Sequence, residues 1–234
     1  MNLATFRARV SGAIGVDNTD GSTEQALLDG WVNESVVQFL LRTKANAQAA
    51  ALSLTAGEGD YVLDTDIIAM RSAWIEPANG LQEIPLRETS PDEIVAYRRY
   101  QGVSGDPSAR LFALQGSNVL MLFPPPGDST DVLHIYYVPR PAAMSTTADT
   151  PAATANGGVS EEFHPILENY VKWKAAEYAN NGPSQLGQMW KAEWEAGLVQ
   201  VRVANTRKGG LNTQRVRIGA PARWPASPGV DHGA

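Results

Sequence analysis

The spacing of apolar residues changes along the chain, and the changes mark its parts. Near the start Leu3, Phe6, Val10 and Ile14 recur three or four residues apart, which lays them along one face of a helix. Asn2 stands where its side chain can accept from the first free amides of that helix, and Gly12 and Gly15 weaken its end. Residues 16–22 (VDNTDGS) are loop by composition. Ser22 followed by Gln25 has the form of a capping box and predicts a second helix to about residue 43. Its stripe takes Leu27 or Leu28, Trp31, Val32, Val36, Phe39 and Leu40.

After an alanine-rich stretch at 45–51, placed at the end of that helix, the period falls to two. Residues 53–63 (SLTAGEGDYVL) predict a hairpin, 67–75 a third strand and 81–86 a fourth. Residues 89–93 (TSPDE) start a short helix that carries Ile94, Tyr97 and Tyr100, with proline and two acids in its first turn. Residues 110–114 predict another strand. The strongest pattern follows at 118–141, NVLMLFPPPGDSTDVLHIYYVPRP, which predicts two strands returning on each other as a central hairpin. Val119, Met121 and Phe123 face one way and Leu120 and Leu122 the other, so both faces need cover. The second run puts Val132, Tyr136 and Val138 on one side and Leu133, Ile135 and Tyr137 on the other. Its flanking prolines cannot donate to a ladder and mark where pairing stops.

Residues 142–159 carry almost no large apolar side chain and predict a linker or surface loop. Helical spacing resumes at Ser160, read as a cap with Glu161 and Glu162 in the first turn, and runs through Phe163, Ile166, Leu167, Tyr170, Val171 and Lys174. Gly182 and Pro183 break it. A last helix from Ser184 through Leu186, Met189, Trp190, Trp194 and Leu198 is predicted to end near residue 204. The class is therefore α+β: helices at both ends form a bundle, and an antiparallel β-sandwich or barrel-like domain is inserted between them. The divisions are 1–50 (helices), 51–141 (β-rich), 142–159 (linker), 160–205 (helices completing the bundle) and 206–234 (an extended arm).

Charge sharpens the last division. Residues 206–234 carry five basic side chains against one acid, +4, whereas residues 1–205 carry fourteen against twenty-four, −10. A basic tail with too little apolar surface to fold alone suits docking on an acidic partner, with Arg207, Lys208, Arg215, Arg217 and Arg223 as the charges and Trp224 as the anchor. A nucleic-acid arm is the alternative for such a tail. The tryptophans at helical spacing, Trp31, Trp173, Trp190 and Trp194, are candidates for core or subunit contacts. With no cysteine there is neither a disulfide framework nor a thiolate metal site, as suits a reducing cytoplasm. No apolar run approaches the roughly 20 residues of a membrane span, and no signal peptide is expected from the first residues.

Catalytic chemistry finds little support. Residues 17–21 hint at a calcium loop, but with Gly21 at the sixth position the first and twelfth fall on Val16 and Leu27, which are not ligands. Asp64 and Asp66 pair as well with strand-end turns as with acid–base work. His134, His164 and His232 have no metal-ligand spacing. No catalytic residue, metal ligand or cofactor is expected, and the chain does not read as an enzyme.

The order of elements carries a resemblance. Trp31-Val32-Asn33 in the second helix, Tyr61-Val62-Leu63 with Asp66, the run Leu120 to Pro126, and Ile135-Tyr136-Tyr137-Val138-Pro139 occur in sequence. Asp149 and Pro151 then precede a closing segment that begins Glu162-Phe163-His164-Pro165-Ile166-Leu167. Over residues 3–205 this resembles the head-to-tail adaptor (connector) proteins of tailed bacteriophages. The long linker and the basic tail depart from that pattern. The resemblance implies a structural virion protein, made in the host bacterial cytoplasm, that forms a ring of usually twelve copies beneath the portal protein. Neighbouring subunits, portal and a stopper or tail protein would be its partners, and DNA would pass through the lumen without sequence-specific contact. Two alternatives stand beside it: a β-sandwich that binds receptor or carbohydrate, and a cell-wall hydrolase using Asp64, Asp66 or a glutamate, which needs two carboxyls roughly 5–10 Å apart.

Overall fold

A computed structural model describes residues 1–234 except 17–18, 20–21, 64–65, 79–81, 102–109 and 214–234, and leaves the side chains of 100–101 and 205–213 undescribed. Five helices and seven strands follow in the order α1 (Leu3–Ile14), α2 (Thr23–Thr43), β1 (Gln48–Ser53), β2 (Asp60–Val62), β3 (Ile67–Glu76), β4 (Ile84–Glu88), α3 (Pro91–Gln101), β5 (Leu111–Gln115), β6 (Val119–Phe123), β7 (Val132–Pro139), α4 (His164–Ala179) and α5 (Gln185–Thr213). The α+β class expected from the sequence is what the chain adopts.

Helix ends follow local chemistry. The Asn2 side chain accepts from the Thr5 amide and Ser22 from that of Gln25, each satisfying a donor the first turn leaves free. α1 ends where Gly15 takes φ of 80°, a left-handed conformation that a side chain would strain. Ser160 makes no side-chain cap. A short 3₁₀ turn at Glu161–Phe163 leads into α4, with Pro165 in the first turn.

Most strands lie near where the alternation puts them, the fourth at Ile84–Glu88 rather than 81–86, but their partners differ from those the sequence suggested. The hydrogen-bonded order is β1-β7-β3-β4-β5-β6-β2. The expected hairpin at 53–63 does not form: β1 pairs antiparallel with β7, β2 with β6. The alanine stretch is itself strand, since residues 48–53 alternate between half-buried and exposed. Nor do β6 and β7 pair with each other. β6 lies between β5 and β2, β7 between β1 and β3. The long proline-rich connection cannot make the tight two-residue turn that would hold the strands in register, so it carries the chain across to the other half of the sheet.

The sheet curls. β1 and β2, at the two ends of the order, face each other across a groove of about 240 Å³ lined by Ala50, Leu52, Val62, Leu63, Ile67 and Tyr137 among others. Its inner face buries Met70, Ile75, Phe112, Leu120, Leu122, Leu133 and Ile135 in one cluster. The outer face of β5 and β6 is covered by α3, through Ile94 against Ala113, Met121 and Phe123. β6 is thus covered on both faces, as its sequence requires. The outer face of β7 is open at Tyr136, which is 40% exposed.

A second core lies among α1, α2, α4 and α5. It includes Leu3, Phe6, Leu28, Phe39, Leu167 and Trp194, and reaches the sheet at Ala69 and Val138. Residues 140–163 are irregular but not loose. Met144 and Val159 are buried in this core, and the Asn33 side chain both donates to the Met144 carbonyl and accepts from its amide. The segment expected as a linker is a strap that closes the helices. Gly157 shows how tightly it lies: a methyl there would come 2.7 Å from Val36 Cγ1.

Candidate assembly surfaces

Among the described residues no three histidine, aspartate or glutamate side chains gather to hold a metal ion. Asp66 is occupied structurally, accepting from the Ser117 hydroxyl at 2.9 Å and lying 3.8 Å from Arg140. Asp64 and most of the 17–21 loop lie outside the described residues. His134 stacks on Trp74 with ring centroids 5.1 Å apart and meets Glu76 at 2.7 Å. His164 is buried. Its Nδ1 accepts from the Met1 amino group at 2.9 Å, which fixes the proton on Nε2, and Nε2 donates to the Val159 carbonyl. Burial and the neighbouring ammonium hold its pKa below the usual histidine value.

The predicted contact tryptophans fall in different places. Trp194 is fully buried inside the chain and edge-on to Tyr170, so it belongs to the core and is not available to a partner. Trp31 is half-buried and edge-on to Tyr178. Trp173 and Trp190 are half-buried on α4 and α5, interleaved with lysines: Lys172 lies 4.5 Å from the Trp190 ring, and Lys174 and Lys191 lie 5.0 and 4.9 Å from Trp173. Helical periodicity alone does not reveal this ridge, because it forms across two helices. Lys172 is partly neutralised by the buried Glu168 at 2.7 Å, to which Arg9 also bonds.

α5 differs most from its sequence reading. It runs to Thr213, beyond the expected end near residue 204, so positions 207 and 208 of the expected arm are helical. The side chains of Arg207 and Lys208, and all of Arg215, Arg217, Arg223 and Trp224, lie outside the described residues. Leu186 and Met189, expected on the buried stripe, are 42% and 45% exposed. Of that stripe the helix buries Trp194 and Leu198, and it buries Val201 beyond it. Two further surfaces have no counterpart in the sequence reading: the outward face of α5, and an aromatic shelf of Trp74, His134 and Tyr136 on the sheet. Both were legible only as scattered apolar residues until the core claimed the opposite faces.

No helix among the described residues is long and apolar enough to cross a membrane. No curated protein matches the chain. A family model does, that of the SU10 adaptor protein, over residues 1–219, which takes in both cores and the strap between them. That description is of a structural component of the virion. The chain belongs to the SU10 adaptor protein family, a phage head-to-tail adaptor family.

Proposed function

We propose that this chain is a ring subunit that joins the portal of a filled capsid to the next stopper or tail component. Twelve copies would close by a head-to-tail interface repeated around one axis. The helical layer would be a bundle that forms the ring wall, the curled β-domain a barrel-like projection from it, and residues 206–234 the element that docks the ring. The observation that carries this reading is the division of charge in a member of this family: a body at −10 and a C-terminal segment at +4. An acidic conduit holds phosphates weakly, so DNA passes without sticking, while a basic terminal segment is drawn to an acidic neighbour.

Native mass spectrometry of the purified protein, alone and with portal rings of the same phage, tests it. The expected result is a chain that becomes a closed ring when portal is present. A protein that never exceeds a monomer with portal would overturn the reading.

The aromatic shelf favours a second reading, a β-domain that binds carbohydrate, because the half-buried Trp74 and His134 and the exposed Tyr136 cluster on one sheet face where a sugar ring could pack. Saccharide binding abolished by Trp74→Ala, in a protein that ignores portal, would favour it.

A further inference from the structure

Mid-helix glycines are costly unless another backbone or side chain needs the space. Gly197 in α5 is explained by α4: a methyl there would lie 2.8 Å from Ile166 Cγ1. Gly187, in the first turn of α5, lies where a methyl would come 3.1 Å from Ser184 Oγ. Gly30, in the middle of α2, is different: nothing lies within 4 Å of where its methyl would be. It is exposed and shares its face with exposed Ala26 and Leu41 and half-buried Val37. At 100° per residue this face is opposite the one that buries Leu28, Val32 and Phe39. The chain thus keeps an open, small-residue channel on α2 that nothing among its described residues fills.

α5 carries the matching feature. Met189, Ala192, Ala196, Val199 and Val203 are all exposed and are spaced three, four, three and four apart. Val199 is 55% exposed and Val203 44%. This is the period of a seam that receives another helix, not of scattered surface residues, and it faces directly away from Trp194 and Val201. Polar residues, Gln188 and Glu195 on one flank and Glu193 and Gln200 on the other, border it.

We propose that the α5 seam of one copy packs into the Ala26–Gly30 channel on α2 of a second copy. The occupant is a second copy because one chain presents both halves, an apolar ridge and a channel of helical period, on the outward faces of two helices that share a core. Two different patches meeting in this way form a heterologous contact, which repeats around a ring; two like patches would stop at a dimer. This rests on the ring reading above and specifies which helices touch.

The test compares wild type with Gly30→Leu and Val199→Gln by native mass spectrometry, alone and with portal rings, alongside each protein's melting temperature. Both variants are expected to melt no lower than wild type and to reduce the assembled fraction by about tenfold or more, the scale of losing a central interface contact. Wild type that assembles while both variants assemble equally well overturns the contact and leaves the ring. Wild type that never assembles overturns the ring itself. A marked drop in the Val199→Gln melting temperature would place the seam under the chain's own residues and also overturn the contact. The chain has no cysteine, so oxidation of engineered positions gives an independent reading. Assembled Gly30→Cys/Val199→Cys protein should cross-link into a ladder of multimers, and neither single variant should cross-link. Dimers from Val199→Cys alone would mean that α5 meets α5.

Discussion

His164 shows what a single buried residue does to the pH response. Neutral imidazole suits its site, where the Met1 ammonium donates to one nitrogen and the Val159 carbonyl accepts from the other, under the Phe6 ring. Its folded pKa lies below the unfolded value of about 6.5. The folded chain therefore binds fewer protons there than the unfolded chain, and stability is lost as pH falls below about 6.5. Melting temperatures from pH 7.5 to 5.5 should fall more steeply for wild type than for His164→Gln; parallel profiles would remove His164 as the cause. Arg7 makes a second residue-level prediction. It is buried, and its Nε and Nη2 each donate to Asp29 at 2.6 Å, joining α1 to α2. Asp29→Ala removes a bidentate carboxylate from a buried guanidinium and should cost about 3 kcal/mol in chemical denaturation. Replacing both with leucine should cost much less, because the buried charge is then removed together with its carboxylate.

Among the elements, helix packing sets the sign of a substitution that propensity alone leaves constant. Gly30→Ala on α2 meets open space and should stabilise the monomer by about 0.5–1 kcal/mol. Gly197→Ala, equally helical, drives a methyl into Ile166, whose branched side chain stands close to its own backbone, and should destabilise by about 1–3 kcal/mol. Denaturation midpoints of the two variants should move in opposite directions. The same reasoning explains Gly59, where an added methyl would lie 2.5 Å from Arg98 Nη2. That guanidinium ties α3 to the sheet through Asp60 and the Gly59 and Leu122 carbonyls. The strap belongs to this scale too. Gly157 has no side chain where it approaches Val36 and Leu40, and composition alone made the segment look like a linker or surface loop.

The described residues form a helical layer, closed by the strap, that packs on a curled sheet at Ala69 and Val138, and a basic C-terminal segment follows in the sequence. Because α5 continues to Thr213, the truncation that leaves this helix whole and tests the proposed docking by 206–234 falls after that residue. Deleting 214–234 should leave the circular dichroism spectrum and melting temperature of the body unchanged and abolish attachment to DNA-filled capsids. Trp224→Ala should weaken attachment without lowering the melting temperature. Normal attachment by the truncated protein would overturn the docking role, and a large loss of melting temperature in Trp224→Ala would place that side chain in the fold.

Local patterns determined a great deal. The spacing of Leu3, Phe6 and Val10, the caps at Asn2 and Ser22, and the alternation through Val119 to Phe123 gave helices and strands near their observed positions. They did so because periodicity and capping depend on neighbours within a turn or two. The basic tail was legible as well, because charge is counted directly along the chain. Tertiary structure alone decided which strands pair. A strand's alternation fixes which side chains share a face but not who lies beside it, so β6 and β7, adjacent in sequence, join opposite halves of the sheet. It also decided which face of α5 is outward: Trp190, Trp194 and Leu198 compete with Met189 and Val199 for the core, and only contact with α4 settles the rotation.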